Sequence, residues 1–116
     1  MSRQLVEKFW SIQNDRDYTK LTELFAEDAV FEDCVTGRFE GKAAIATMMA
    51  EVTKKLSNSE QYFEVVEMAA TDEVGWARWV WKGPGKELAG HSLYKFRGGK
   101  LTYNYDFYCP SRSSES

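Results

Sequence analysis

Hydrophobic residues in this chain recur with a helical period in the first half and with a period of two in the second. That division constrains the fold more than any other feature. A period of 3.6 makes one buried stripe on a helix, and a period of two makes one buried face on a sheet. Over SRQLVEKFWSIQN, Leu5, Phe9 and Ile12 recur at helical spacing, and Val6 and Trp10 widen the stripe. Ser2 is the candidate N-cap. DYTKLTELF predicts a short second helix capped by Asp17, with Leu21, Leu24 and Phe25 as its apolar face. KAAIATMMAEVTKKL places Ile45, Met48, Met49, Val52 and Leu56 on one side of a third helix. Lys54 and Lys55 lie near its C-terminal end, where the helix dipole favours cations.

AVFEDCV, between the second and third helices, predicts a strand, and GRFEG predicts a turn. SNSE ends the third helix, and four strand-like segments follow: QYFEVVEMAA, EVGWARWVWK, LAGHSLYKF and LTYNYDFY. GPGKE, with Gly83, Pro84 and Gly85, and RGGK, with Gly98 and Gly99, supply the turns between the last three. This order predicts an α+β fold, with a mostly antiparallel sheet of five strands curled over the helices. At 116 residues the chain suits one domain. We expect it to cover 1–109, followed by a polar, disordered tail over 110–116.

The formal net charge of −3 argues against binding a nucleic-acid backbone. No apolar stretch is long enough to span a bilayer, so no membrane role is expected. The N-terminus lacks the apolar core of a signal peptide, and the expectation is a cytoplasmic protein. In that compartment Cys34 and Cys109 are expected to be free thiols, with Cys34 a small buried hydrophobe. One histidine, His91, gives no metal site, and no Ser-His-Asp set or phosphate-binding glycine loop is present. No cofactor is expected.

The last strand has two unlike faces. Leu101, Tyr103, Tyr105 and Phe107 form one set, and Thr102, Asn104, Asp106 and Tyr108 the other. In EVGWARWVWK, Ala77, Trp79 and Trp81 alternate with Trp76, Arg78, Val80 and Lys82. Three helices cover only one side of such a sheet, so rings on the second side predict a homodimer. Its interface is expected to use Trp79, Trp81, Tyr103, Tyr105 and Phe107. The alternation puts His91 opposite Ser92, away from the polar set.

LTELFAEDAVFEDCVTGRFEGKAAI resembles a motif of the nuclear-transport-factor-2-like superfamily, in its SnoaL-like and ketosteroid-isomerase-like branches. YKFRGGKLTYNYDFY resembles the closing hairpin of the same group. The resemblance implies a cone-shaped, cystatin-like α+β barrel. A curved, mostly antiparallel sheet wraps around three N-terminal helices and encloses a deep pocket, usually in a dimer. Asp33 stands where ketosteroid isomerases keep their general base, whereas the positions of that site's donors fall on Phe9 and near Ser92. In the limonene-epoxide-hydrolase-like branch, Arg78 matches the arginine and Asp106 the water-activating aspartate. Val80 occupies the place of the second aspartate, and Phe31 and Asp33 fall where a tyrosine and an asparagine hold the water. SnoaL-like cyclases also keep an acid/base aspartate at the position of Asp106.

The resemblance therefore implies a pocket protein for a hydrophobic small molecule, acting as an isomerase, cyclase, dehydratase or hydrolase. Asp106 is the expected general base, Asp33 a second acid/base or water-positioning group, and Arg78 an orienting cation that holds one carboxylate ionised. Phe31, Trp76, Val80, Ser92, Tyr94, Asn104 and Tyr108 are the expected ligand-binding residues. The alternative is a non-catalytic dimeric module that binds a ligand or a protein. The purely structural reading of the same residues makes Asp106 and Arg78 a buried ion pair and Asp33 a cap of the turn before Gly37.

Overall fold

The computed structural model describes residues 2–56, 62–83 and 85–108. The expected break at 57–60, Pro84, Cys109 and the tail lie outside the described residues. Helix α1 (Ser2–Asn14) buries Val6, Phe9, Trp10 and Ile12, the stripe that the spacing predicts. Ser2 is the first residue of this helix rather than its cap. The α2 helix (Tyr18–Thr22) is capped as expected: the Asp17 side chain accepts from the Lys20 N–H at 3.2 Å. It stops earlier than its apolar face suggests, because the sheet captures Leu24 and Phe25. The Leu101 N–H donates to the Leu24 carbonyl at 2.8 Å, and Phe25 pairs with Leu101. Helix α3 (Lys42–Leu56) buries Ile45 and Met49, with Met48 and Val52 half-buried beside them. None of the described helices is long and apolar enough to cross a membrane.

The strands are β1 (Phe25–Asp33), β2 (Gly37–Glu40), β3 (Tyr62–Ala70), β4 (Val74–Gly83), β5 (Lys86–Arg97) and β6 (Lys100–Tyr108). They form one sheet in the order β2-β1-β6-β5-β4-β3. Only β1 and β6 run parallel; the other neighbours are antiparallel. The sheet has six strands rather than five, because GRFE is a strand. Gly37 takes a φ of 107°, which reverses the chain so that Gly37–Glu40 can pair with β1.

Helix α1 packs on β3 and β4, and α3 packs on β1 and β2, so the helices define the inner face. At the outer edge of β3, the Asn14 side chain meets the Phe63 backbone twice. It accepts from the Phe63 N–H at 2.7 Å and donates to the Phe63 carbonyl at 2.8 Å.

The cross-strand registers show which residues share a face. Ala77, Ser92, Asp106 and Asp33 form one row across β4, β5, β6 and β1. Gly75, Tyr94, Asn104 and Phe31 form the next inner row. Trp76, Leu93, Tyr105 and Glu32 form a row on the outer face. In β4 the inward set is therefore Ala77, Trp79 and Trp81, which overturns the expected place of both tryptophans on a partner interface. Trp79 is 3% exposed and Trp81 packs against the core.

Leu101 also moves to the core. A bulge at Thr102 shifts the β5–β6 register, because Phe96 faces Leu101 while Lys95 faces Tyr103. The extra residue restores Leu101 to the face that carries Asn104 and Asp106, and Leu101 is fully buried.

Space for the Trp79 ring comes from Gly90, its cross-strand partner. A Cβ at Gly90 would collide with the six-membered ring of that indole. We expect Gly90→Ala to destabilise the fold by about 1–3 kcal/mol, as overpacking does. A urea denaturation midpoint equal to that of the wild type would contradict this packing.

Candidate functional site

The row containing Asp106 brings a carboxyl group into the aromatic core. Two neutral donors reach the same oxygen. The Ser92 hydroxyl donates to Oδ1 at 2.6 Å, and the Asn104 amide donates to it at 2.8 Å. Among the described residues nothing donates to Oδ2. Ser92 is held in turn by the Trp79 indole N–H, which donates to its oxygen at 2.9 Å. A hydroxyl can accept and donate at once, so Trp79, Ser92 and Asp106 form one chain.

Asp106 is half-buried: protein crowds its carboxyl while some accessible surface remains. Desolvation is the main cause that pushes its pKa up to about 6. The bonds from Ser92 and Asn104 oppose the shift, and the Asp33 charge adds to it.

Asp33 is the Cα partner of Asp106 in the parallel pair. Its Oδ1 accepts from the Val35 N–H at 2.8 Å, the Thr36 N–H at 3.0 Å and the Tyr108 hydroxyl at 2.9 Å. Asp33 thus caps the turn before Gly37 and also faces the cluster. Burial and the Asp33 carboxylate together hold the Tyr108 phenol well above its usual range. Tyr94 is fully buried, with Phe9 at 5.6 Å and Phe96 stacked at 6.4 Å. Its phenol is likewise pushed up, by burial first and then by the Asp106 charge.

The structure brings together Asp106, Asp33, Ser92, Asn104, Tyr94, Tyr108 and Phe31 on the inner face. It does not bring Arg78, Trp76 or Val80 there. Arg78 lies on the outer face and pairs with Glu67 at 3.1 Å, so the expected Asp106–Arg78 contact does not form. Trp76 is 38% exposed on the same outer face, and Val80 alternates with the inward Trp79 and Trp81. At the level of Asp106, β4 turns Ala77 and Trp79 inward, so neither an arginine nor a second aspartate stands there.

Trp79 is the site residue that sequence reasoning missed. The signal was present in β5, where Gly90 and Ser92 offer room while His91, Leu93 and Lys95 are exposed. His91 lies on the outer face between Arg78 and Phe107.

Cys34 is exposed rather than buried. Its backbone N–H donates to the Asp106 carbonyl at 3.1 Å, and its thiol meets the Tyr108 backbone. A groove of about 390 Å³ lies away from this cluster, at the far end of the β5–β6 hairpin, lined by Leu5, Lys8, Asp72, Phe96 and Gly99 among others. Among the described residues no group of three or more His, Cys, Asp or Glu side chains is placed to hold a metal ion.

Solved structures share this fold at low sequence identity. An NTF2-like protein of unknown function from Cytophaga hutchinsonii aligns with a TM-score of 0.77 and 19% identity, over 100% of this chain and 96% of its own. A candidate ketosteroid isomerase from Kribbella flavida has a TM-score of 0.77 and 19% identity, over 94% of this chain and 78% of its own. A candidate polyketide cyclase from Sinorhizobium meliloti has a TM-score of 0.74 and 22% identity, over 89% and 93%. No curated protein matches the sequence significantly. The family model of the SnoaL-like domain matches residues 6–104, most of the chain, and the protein belongs to this SnoaL-like family.

Proposed function

We propose that this protein is an acid/base catalyst acting on a hydrophobic organic molecule bound at the inner sheet face, with Asp106 as the proton-transfer group. One observation carries the reading: Asp106 has one oxygen engaged by Ser92 and Asn104, and among the described residues the other has no donor, within aromatic walls. A carboxyl poised at about 6 is a competent base at neutral pH and remains a usable acid after it takes a proton. Asp33, tied to the turn and to Tyr108, is a second carboxylate beside it. Isomerisation, cyclisation and dehydration all need such a group. Epoxide hydrolysis is the weaker reading, because Arg78 and Val80 face away.

Deuterium uptake at the α-carbon of 1-indanone in D₂O tests the reading. The wild type should accelerate it, with a rate that rises through about pH 6 as Asp106 ionises. Asp106→Asn should lower the rate roughly 100-fold or more while the ketone still binds. A substitution that changes affinity alone would instead identify a binding module.

The same carboxyl sets a stability dependence. Its folded pKa of about 6 lies above the 3.8 of an ordinary aspartate, so the folded state holds the proton more tightly than the unfolded chain. Stability therefore falls as pH rises between these values, by an order of 3 kcal/mol in all. We expect Asp106→Asn to be more stable than the wild type at pH 8, with the gap closing near pH 4. Denaturation curves that keep a constant gap across this range would sink the assignment.

We propose further that a second copy of the chain covers the outer sheet face. Trp76, Leu93 and Tyr105 lie side by side across three strands. The Tyr103, Tyr105 and Phe107 rings run along β6 at 6.4 and 6.0 Å, and Phe107 is 57% exposed. A two-fold interface would bury this apolar row against itself. Sedimentation should give a dimer at micromolar concentration and a monomer for Phe107→Lys. A monomeric wild type at that concentration would refute the interface.

A further inference from the structure

Three buried side-chain polar atoms have no hydrogen-bond partner among the described residues: Trp10 Nε1, the Tyr94 hydroxyl and Asn104 Oδ1. Trp10 is 6% exposed, and Tyr94 and Asn104 are fully buried. Such atoms are rare in folded proteins because leaving them unpaired is costly. Asn104 and Tyr94 lie beside Asp106, and Trp10 neighbours Tyr94. Tyr94 and Asn104 are direct partners across β5 and β6. The Tyr94 hydroxyl lies close enough to Ser92 and to the Trp10 indole for both to ease its ionisation, and it feels the Asp106 charge. Neither contact reaches full hydrogen-bond geometry. Asn104 spends an amide N–H on Asp106, which leaves its carbonyl oxygen unused.

The inventory of these atoms specifies a complement. The Trp10 N–H can only donate, the Asn104 oxygen can only accept, and the Tyr94 hydroxyl can do either. A ligand group that satisfies them must both accept and donate. A hydroxyl does so with one oxygen: it accepts from Trp10 and donates to Tyr94 or Asn104. The rings around it are apolar, with Phe9 at 5.6 Å from Tyr94 and Trp79 at 6.0 Å from Trp10.

We propose that Trp10, Tyr94 and Asn104 form a subsite for a hydroxyl group, so that the hydrophobic molecule bound beside Asp106 is an alcohol or a phenol. This rests on the reading of the inner face as a ligand site, and it adds the chemistry by which that site selects. A water molecule has the same hydrogen-bonding character, so the test must separate the two sources.

Three indanones differ at one position. 5-Hydroxy-1-indanone donates and accepts there, 5-methoxy-1-indanone only accepts, and 1-indanone does neither. The Trp10 indole N–H resonance, assigned by its loss in Trp10→Phe, reports on the subsite directly. The hydroxyl compound should bind roughly 3- to 10-fold more tightly than either of the others and should shift that resonance. The advantage should vanish in Tyr94→Phe, which removes only a hydroxyl and serves alone if Trp10→Phe does not fold. Equal affinities, or an unmoved Trp10 resonance at saturation, would overturn the subsite. So would a long-lived water in contact with the Trp10 indole proton in the saturated protein. A hydroxyl preference without α-proton uptake would support the subsite and reject catalysis. Uptake without the preference would reject the subsite and keep catalysis.

Discussion

The indole of Trp79 joins the apolar core to the polar cluster. Its ring lies over Gly90 and among Trp10, Phe63 and Tyr108. Its N–H holds Ser92, and Ser92 holds Asp106. Burying a ring of this size stabilises a fold by several kcal/mol, far more than any exposed ion pair on the outer face. That burial decides which side of β4 faces the helices. Once Trp79 is inside, alternation sends Trp76, Arg78 and Val80 outward, and no cation from β4 reaches the carboxyl cluster.

The absence of that cation gives Asp106 its character. An arginine at bonding distance would hold the carboxylate ionised well below neutral pH. Neutral donors do less, and desolvation overcomes them. The two donors also converge on one oxygen, so the carboxyl is held in orientation while its other oxygen stays available. Asp33 lies in the same row but is restrained by two backbone N–H groups and a phenol. Two neighbouring aspartates are thereby given different environments by the strand ends on which they sit.

Much of this architecture was legible in the sequence. The helix stripes, the Asp17 cap and the hairpin at Gly98 and Gly99 follow from local patterns that tertiary packing leaves intact. The two faces of β6 above Thr102 were legible too, because Asn104 and Asp106 alternate with rings. What escaped depends on partners that a single strand does not reveal. Alternation in β4 gives two sets, each with tryptophan, and only the register against β5 says which set is inside. The bulge at Thr102 reverses Leu101 without any Gly or Pro to mark it. GRFE looked like a turn because its glycine was visible, whereas its pairing with β1 was not. The orphaned atoms of Trp10 and Tyr94 belong to a helix and a distant strand, and no motif links them.

The grip of Asn14 on Phe63 has a consequence beyond joining α1 to the sheet. β3 is the last strand on its side, and its outward N–H and C=O groups form a template on which a foreign strand could add. Asn14 occupies one such pair of groups with its own amide, which mimics a strand neighbour one residue long. Intermolecular pairing along that border must first break both bonds. A single helix-terminal side chain thus guards the molecule against fibril-like growth at the edge farthest from its short β2 border.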